Sequence, residues 1–126
     1  MPRVGPLHIR ARLMCGEEFA MGPGKASLLE AIIREGSISG AGRALGMSYR
    51  RTWLLVDEMN RCWEERLVET TPGGGQSRGA RLSALGHRVL GDYRALEARL
   101  AEAAEASLAS LKRGMRETPL PPARPS

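Results

Sequence analysis

The adjacent arginines Arg50 and Arg51 are the residues of this chain best suited to bind an anion. They follow Ser48 and Tyr49, and a serine in this position can accept a hydrogen bond from the first backbone amides of a helix. Cations in the first turn of a helix oppose its macrodipole and cost about 0.3 to 1 kcal/mol each. A polyanion reverses that balance, because guanidinium groups and N-terminal amides bind phosphate, and an arginine can donate to both acceptors of a guanine edge. The alternative is that both arginines are simply solvated on an exposed turn.

Two helices and a tight turn would position these arginines, and the sequence predicts all three. Ser37 can cap a first helix, in which apolar residues recur at helical spacing. These residues are Ile38, Ala41 and Leu45. Gly46 can adopt the positive φ of a turn, and Ser48 can cap the second helix. The spacing predicts a helix-turn-helix over residues 36–60, whose second helix has the layout of a recognition helix.

An amphipathic helix over residues 25–34 is expected to supply the core behind this pair and to end at Gly36. Its apolar stripe consists of Leu28, Leu29, Ile32 and Ile33. In the second helix of the pair, the residues expected to face inward are Trp53, Val56 and either Met59 or Asn60. Both Trp53 and Trp63 are assigned to packing, because their large apolar surface favours burial.

A glycine-rich segment after the second helix predicts a β-hairpin. A β-branched run at residues 67–71 and the residues up to Leu82 flank glycines at 73–75, which is typical of two short strands joined by a tip. Arg78 and Arg81 place positive charge there, where a minor groove or flanking phosphates would suit it. A nucleotide-binding P-loop is excluded because its Gly-Lys-Ser/Thr ending is missing. A hairpin with incidental arginines is the remaining alternative.

The first 21 residues predict another β-hairpin. Apolar and polar residues alternate from 7 to 15, which is typical of a strand with one solvated face. The packed face would carry Leu7, Ile9, Ala11, Leu13 and Cys15, and the solvated face His8, Arg10 and Arg12. Residues 19–21 would form the return strand. His8 is interpreted as a surface residue and not as a ligand.

After Ser83, which can act as an N-cap, residues 84–113 predict one long helix. Apolar residues recur along it every three or four positions: Leu85, Val89, Tyr93, Leu96, Leu100, Ala103 and Leu111. At about 1.5 Å per residue it would be about 45 Å long, more than the small head can cover. We therefore expect the surplus to meet the same helix of a second copy. The alternative is a solvated alanine-rich helix, and the proline-rich tail at 114–126 is expected to be disordered.

Composition favours a small basic domain with an anionic partner. The 126 residues include 19 Lys or Arg against 14 Asp or Glu, a net charge of +5, and the pI is near 10.0. Aromatic residues make up 4% of the chain, too few for stacking platforms that bind single strands. Neither a signal peptide nor an apolar run of transmembrane length is visible, so we expect a cytoplasmic protein with no membrane partner.

The residue types argue against an enzyme. Cys15 and Cys62 lack the spacing of a metal or redox motif and are interpreted as buried thiols of a reducing cytosol. His8 and His87 lie far apart, and no Ser, Cys and His set has catalytic spacing. The carboxylates resemble solvated helix faces. No catalytic residue, no metal site and no cofactor are therefore expected.

Several short runs together suggest a family. They are Gly36-Ser-Ile-Ser39, Ala44-Leu-Gly-Met-Ser-Tyr-Arg50 and Asp57-Glu-Met-Asn60. Further matching residues are Leu28-Leu29, Ile32, Trp53, Leu67-Val-Glu69, the glycines of the predicted hairpin tip (the wing), Leu82-Ser83, Gly86 and Arg88. From Gly22 to about Leu100 the chain resembles the N-terminal DNA-binding domain of ModE-type molybdate-responsive transcriptional regulators. That domain is itself similar to the winged helix-turn-helix head of LysR-type regulators. The Ser-Ala-Arg-Asn run of the C-terminal oxyanion-binding domains is absent, so the resemblance implies a regulator without its own molybdate-sensing domain.

The resemblance implies a mainly α fold with small β elements. Together with the segments predicted above, it divides the chain into an N-terminal β-hairpin (1–21), a winged helix-turn-helix DNA-binding domain (22–83), a long dimerisation helix (84–113) and the tail (114–126). A homodimer would bind double-stranded DNA at a palindromic operator, and an unidentified regulatory partner is left open. The expected DNA-binding residues are Ser39, Ser48, Tyr49, Arg50, Arg51, Arg78 and Arg81. The alternative function is a helical dimer module that binds an acidic protein.

Overall fold

The computed structural model describes residues 3–71 and 79–125. Within them, short strands and helices follow in the order β1 Arg3–Val4, β2 Leu7–His8, β3 Leu13–Cys15, β4 Glu18–Met21, α1 Pro23–Glu35, α2 Ile38–Ala44, α3 Tyr49–Cys62, β5 Val68–Thr70, β6 Ala80–Leu82 and α4 Ala84–Lys112. The strands pair antiparallel, β1 with β2, β3 with β4, and β5 with β6. The expected fold class, mainly α with small β elements in a winged helix-turn-helix, is confirmed.

The core lies around α1. Leu28, Leu29 and Ile32 on this helix are fully buried, as predicted, but the fourth residue of the predicted apolar stripe, Ile33, is 50% exposed. The helix begins at Pro23, earlier than expected, because a proline in the first turn has no amide to leave unpaired. It ends at Gly36, whose φ of 71° lies in the left-handed region that favours glycine.

The predicted turn and both predicted caps of the helix-turn-helix are confirmed. Ser37 Oγ accepts a hydrogen bond from the Gly40 amide at 3.0 Å. Ser48 Oγ accepts one from the Arg51 amide at 3.1 Å. Gly46, with a φ of 70°, lies in the turn between α2 and α3. The two helices therefore begin where local capping chemistry places them.

Residues 7–15 do not form the single strand expected from their alternation. β2 ends at His8 and β3 begins at Leu13. Between them the Ala11 carbonyl accepts a hydrogen bond from the Tyr93 hydroxyl of α4 at 2.7 Å. The segment is thus attached to a helix instead of continuing a sheet. Leu13 and Cys15, expected on the packed face, are exposed as a result.

The assignment of both cysteines to the interior was wrong for Cys15, which is exposed at the end of β3. Cys62, at the end of α3, is half-buried. Burial and the neighbouring Cys15 thiol raise the pKa of Cys62. Tertiary packing therefore brings together two residues that lie far apart in the sequence.

The wing strands β5 and β6 pair Val68 with Leu82 and Glu69 with Arg81. The Ala80 amide of β6 donates to a carbonyl at the end of α1, at 2.8 Å. The wing is thereby attached to the core. Its predicted tip, with the glycines at 73–75 and Arg78, lies outside the described residues.

The first half of α4 packs in the core and its second half does not. Ser83 caps the helix by accepting a hydrogen bond from the Gly86 amide at 3.0 Å, as predicted. Val89 and Tyr93 are 6% and 5% exposed. Beyond Glu97 no residue of α4 is buried. The C-terminal part of this helix therefore lies outside the core and packs against the turn between β1 and β2, where a Cβ built on Gly5 would lie 3.8 Å from Leu108.

A charged cluster joins α4 to α1. Arg94 donates to Glu30 at 2.7 Å, to Glu97 at 2.6 Å and to Ser27 Oγ at 3.3 Å. The hydrogen bonds from Arg94 hold the pKa of Glu30 below its usual value, and the two carboxylates raise the pKa of Arg94. Glu97 is only 5% exposed, so this cluster provides the cation that a buried carboxylate requires.

Candidate nucleic-acid interface

The outer side of α3 is defined by the residues opposite its buried stripe. Thr52, Val56 and Met59 are buried, and successive residues of an α-helix are rotated by about 100°. Arg50 and Leu54 therefore lie on the side away from the core, and both are exposed. This outer side is the part of α3 that can enter a groove of DNA.

The two flanks of α3 face different elements. Trp53 lies on the wing side, where it lines a groove of about 380 Å³ together with Arg66. Tyr49, one turn earlier, is on the same side and is 52% exposed. Arg51 and Leu55 lie on the opposite flank and line a second groove, shared with the N-terminal segment. The arginine pair is thus split between the outer side and one flank.

The assignment of Trp53 to the core was wrong. It is 46% exposed, because the buried stripe runs through Thr52, Val56 and Met59 and rotates position 53 onto the flank. Trp63 is half-buried and packs against the core. The sequence would have predicted this buried stripe only if Thr52 had been counted as an inward-facing residue.

The acidic residues of α3 are paired with cations. Asp57 binds Arg61 at 3.0 Å, and Arg61 also binds Glu18 of β4 at 2.9 Å. These two carboxylates raise the pKa of Arg61. Glu58 binds Lys25 at 3.0 Å. No carboxylate of α3 is left unpaired to repel an anion.

The cations in the first turn of α3 have the opposite character. Arg50 and Arg51 are exposed and form no ion pair with any residue in 3–71 or 79–125. They also stand where the helix macrodipole is positive. The first turn therefore concentrates uncompensated positive charge, as an anion-binding surface requires.

The two serines expected at the site have different environments. The Ser48 hydroxyl caps α3, and the Ser48 carbonyl accepts a hydrogen bond from Thr52 Oγ1 at 2.7 Å. Because Ser48 is exposed, its hydroxyl can still donate to a phosphate. Ser39 lies half-buried in the first turn of α2, so it is not on α3 with the other candidates.

Asn60 fixes α3 to the wing, a role that the sequence did not reveal. Its side-chain oxygen accepts hydrogen bonds from the Leu67 and Val68 amides at 2.9 and 3.1 Å, and its nitrogen donates to the Val68 carbonyl at 3.2 Å. Three hydrogen bonds from one side chain hold the start of β5. The sequence had suggested only that Asn60 or its neighbour faces inward.

The wing arginines are only partly described. Arg81 on β6 is exposed, and its Nε lies 3.4 Å from a carboxylate oxygen of Glu69 on the paired strand. This long and solvated ion pair is weak, so Arg81 can exchange it for a phosphate. Arg78 lies outside the described residues.

The expected dimerisation residues fall into two groups. Val89 and Tyr93 are buried within this chain, and Leu85 packs partly against the same core. Leu96 and Leu111 are 44% and 71% exposed. Leu100 is half-buried and Ala103 is exposed. Only the second group has surface available for another copy.

No group of three or more His, Cys, Asp or Glu residues that could hold a metal ion occurs in the described residues. None of the described helices is long and apolar enough to cross a membrane.

The chain has curated relatives but matches no protein-family model. It is 39% identical over 83 residues to the molybdenum-pterin-binding protein MopA of Rhodobacter capsulatus, a match that covers 66% of this chain and 31% of MopA. It is 39% identical over 71 residues to the DNA-binding transcriptional dual regulator ModE of Escherichia coli, covering 56% of this chain and 27% of that protein. About 60% of the chain is therefore homologous to the N-terminal part of ModE-type proteins.

The chain spans about 30% of the length of the curated relatives that it matches. Among solved structures, it is similar to the full-length LysR-type regulator LysG of Corynebacterium glutamicum with bound effector Arg. That match has a TM-score of 0.52 and 24% identity, and covers 74% of this chain and 30% of LysG. The likeness supports the winged helix-turn-helix fold. In each of these proteins, the matched region makes up less than a third of the chain.

Proposed function

We propose that this ModE homologue is a sequence-specific DNA-binding transcriptional regulator. The observation that carries the proposal is the first turn of α3, where Arg50 and Arg51 are exposed and without an ion pair in the described residues. A relative of this chain is named as a DNA-binding transcriptional regulator. Arg50 would read base edges in the major groove, and Ser48 and Tyr49 would contact the backbone beside it.

The proposed unit is a homodimer on a palindromic operator. The second half of α4, with Leu96, Leu100, Ala103 and Leu111, would contact the same helix of a second copy. Two copies of α3 would then enter successive major grooves about 34 Å apart. Arg81 on β6, with Arg78 of the predicted hairpin tip, would contact the flanking backbone or the minor groove.

We also propose that DNA binding by this chain does not require molybdate. Support comes from contacts made by the chain's own residues, since the Ser48 hydroxyl caps α3 and the buried Thr52 packs it against the core. Binding would therefore depend on groups that are already in position. Adding molybdate to the binding assay is expected to leave the affinity unchanged, and a clear shift would contradict this part of the proposal.

The function is tested by incubating the chain with fragments of its source genome and sequencing those retained at increasing salt. A regulator is expected to enrich a palindromic site, with affinity that falls steeply between about 50 and 200 mM salt. A module that binds an acidic protein is expected to enrich no fragment. Retention of all fragments alike would reduce the proposal to non-specific DNA binding.

A further inference from the structure

A groove lies between the N-terminal segment and α3. It has a volume of about 510 Å³. Its cations include Arg10, Arg12 and Arg51, and its apolar lining includes Phe19, Met21 and Leu55. We call it the arginine groove. No Asp or Glu is among the described residues that line it.

The arginines of this groove carry uncompensated charge. Arg10, Arg12 and Arg51 are exposed, and none forms an ion pair with a residue in the described parts of the chain. The Arg12 guanidinium instead lies over the Phe19 ring, 4.4 Å from its centroid. That contact orients the guanidinium while leaving its N–H groups able to donate. Three such cations around one groove call for an anionic occupant.

The N-terminal segment is held firmly enough to present these cations. The Ala11 carbonyl, between Arg10 and Arg12, accepts a hydrogen bond from the buried Tyr93 at 2.7 Å. A Cβ built on Gly22, at the start of α1, would lie 3.8 Å from Arg12 Cγ. The segment therefore runs close along the beginning of α1, and its arginines belong to the folded body.

The position of the groove relative to α3 identifies the occupant. Arg51 lines the groove, and Arg50, about 100° further around the helix, lies on the outer side. A helix about 10 Å wide in a major groove about 12 Å wide has a phosphate backbone along each flank. The wing occupies the Trp53 flank. The arginine groove lies on the other flank, where the second backbone would pass.

We propose that the arginine groove binds the sugar-phosphate backbone of DNA that flanks the bases read by α3. The guanidinium groups would contact phosphates, and the apolar lining would pack against deoxyribose carbons. This inference rests on the proposed function and extends it, because it makes the N-terminal segment a second DNA contact. The binding site would then be longer than the winged helix alone requires.

The test measures binding to a duplex that carries the selected site with about one helical turn, or about 10 base pairs, on each side. Replacing both Arg10→Gln and Arg12→Gln should weaken binding at least about tenfold, as for losing a charge-assisted hydrogen bond. It should also reduce the salt slope by about 2, since each lost phosphate contact removes about 0.9.

Matched variants separate the groove from net charge and from folding. The double change Arg113→Gln and Arg116→Gln removes the same charge from exposed positions after α4 and should keep most of the wild-type affinity and salt slope. The double change Arg10→Lys and Arg12→Lys should keep most of the salt slope. The circular dichroism spectrum of the glutamine variant should match that of the wild type. Its melting temperature should differ only by the effect of losing the contact of Arg12 with Phe19.

The outcomes distinguish the two proposals. If the wild type does not bind the duplex, both the proposed function and the groove inference fail. If the Arg10 and Arg12 glutamine variant binds as tightly as the wild type and with the same salt slope, the regulator proposal stands and the groove inference is overturned. A loss of affinity and of salt slope in the glutamine variant that the Arg113 and Arg116 variant does not show supports the inference.

Discussion

Gly42 of α2 lies directly against the hydroxyl of Thr52 in α3. A Cβ built on Gly42 would overlap Thr52 Oγ1 and would stand 3.3 Å from the Met47 carbonyl oxygen. Thr52 is fully buried, and its hydroxyl donates to the Ser48 carbonyl at 2.7 Å. The absence of one methyl group therefore sets how closely α2 and α3 approach, and with it the tilt of the first turn of α3.

We expect Gly42→Ala to destabilise the chain by about 1 to 2 kcal/mol. Overpacking costs about 1 to 3 kcal/mol, and the better helix propensity of alanine offsets part of it. Gly91→Ala is the matched control, because Gly91 is exposed in α4 and a Cβ there would meet nothing within 4 Å. That control should stabilise by about 0.5 to 1 kcal/mol. Urea denaturation measures both, and equal effects would contradict the packing argument.

We expect Arg50→Ala to lower the preference for the selected site over random duplex by about 1 to 3 kcal/mol, if Arg50 donates to a guanine edge. Arg113→Ala removes the same charge after α4 and should leave this preference unchanged. Competition binding at fixed salt measures the difference. An equal loss on both duplexes would show that Arg50 contacts phosphate instead of a base.

We expect Arg94→Ala to destabilise the chain by about 2 to 4 kcal/mol, because it leaves the carboxylate of Glu97 buried without its cation. Arg88→Ala is the control. It removes an i,i+4 pair with Asp92 whose side chains are 64% and 69% exposed, so it should cost at most about 0.5 kcal/mol. Comparable losses in the two variants would contradict the assignment of a structural role to Arg94.

The same cluster predicts a dependence of stability on pH. Arg94 lowers the pKa of Glu30 in the folded state, so Glu30 contributes stability above its unfolded-state pKa and loses it as pH falls through the lower folded-state pKa. The Glu30 side chain is 41% exposed, so solvent screening limits this contribution to under about 1 kcal/mol. The difference in unfolding free energy between wild type and Arg94→Ala should therefore be slightly smaller at about pH 3 than at about pH 7. A gap that widens in acid would contradict the prediction.

We expect the fluorescence of Trp53 to report DNA binding. Trp53 is 46% exposed on the flank of α3, whereas Trp63 packs against the core. In Trp63→Phe, which leaves Trp53 as the only tryptophan, adding the selected duplex should change the emission. In Trp53→Phe the change should be much smaller. The opposite ranking would place the duplex away from α3.

We expect the paired change Leu96→Glu and Leu100→Glu to dissociate the proposed dimer. Both residues lie where α4 leaves the core, and a carboxylate buried in a helix contact is costly. Leu120→Glu, in the exposed tail, is the control and should leave the assembly unchanged. Sedimentation equilibrium measures the mass. A wild-type chain that is monomeric at all concentrations would contradict the dimer.

The sequence by itself determined the features that depend on a few neighbouring residues. Ser37, Ser48 and Ser83 cap their helices through amides within three positions, and Gly36 and Gly46 supply the positive φ of the turns. Such interactions close within one helical turn, so residue type and spacing suffice to predict them. These local interactions also predicted the order of the elements and the position of two arginines at the start of α3, where they can bind an anion.

Only the tertiary structure decided which surfaces those elements present. Trp53 is exposed because the burial of Thr52, Val56 and Met59 rotates it onto the flank of α3. The expected strand over residues 7–15 is interrupted where Ala11 meets Tyr93, 82 positions later in the chain. The same packing brings Arg10 and Arg12 to one groove with Arg51. Periodicity cannot predict contacts between residues so far apart, because they depend on how completed elements fit together and not on local backbone preference.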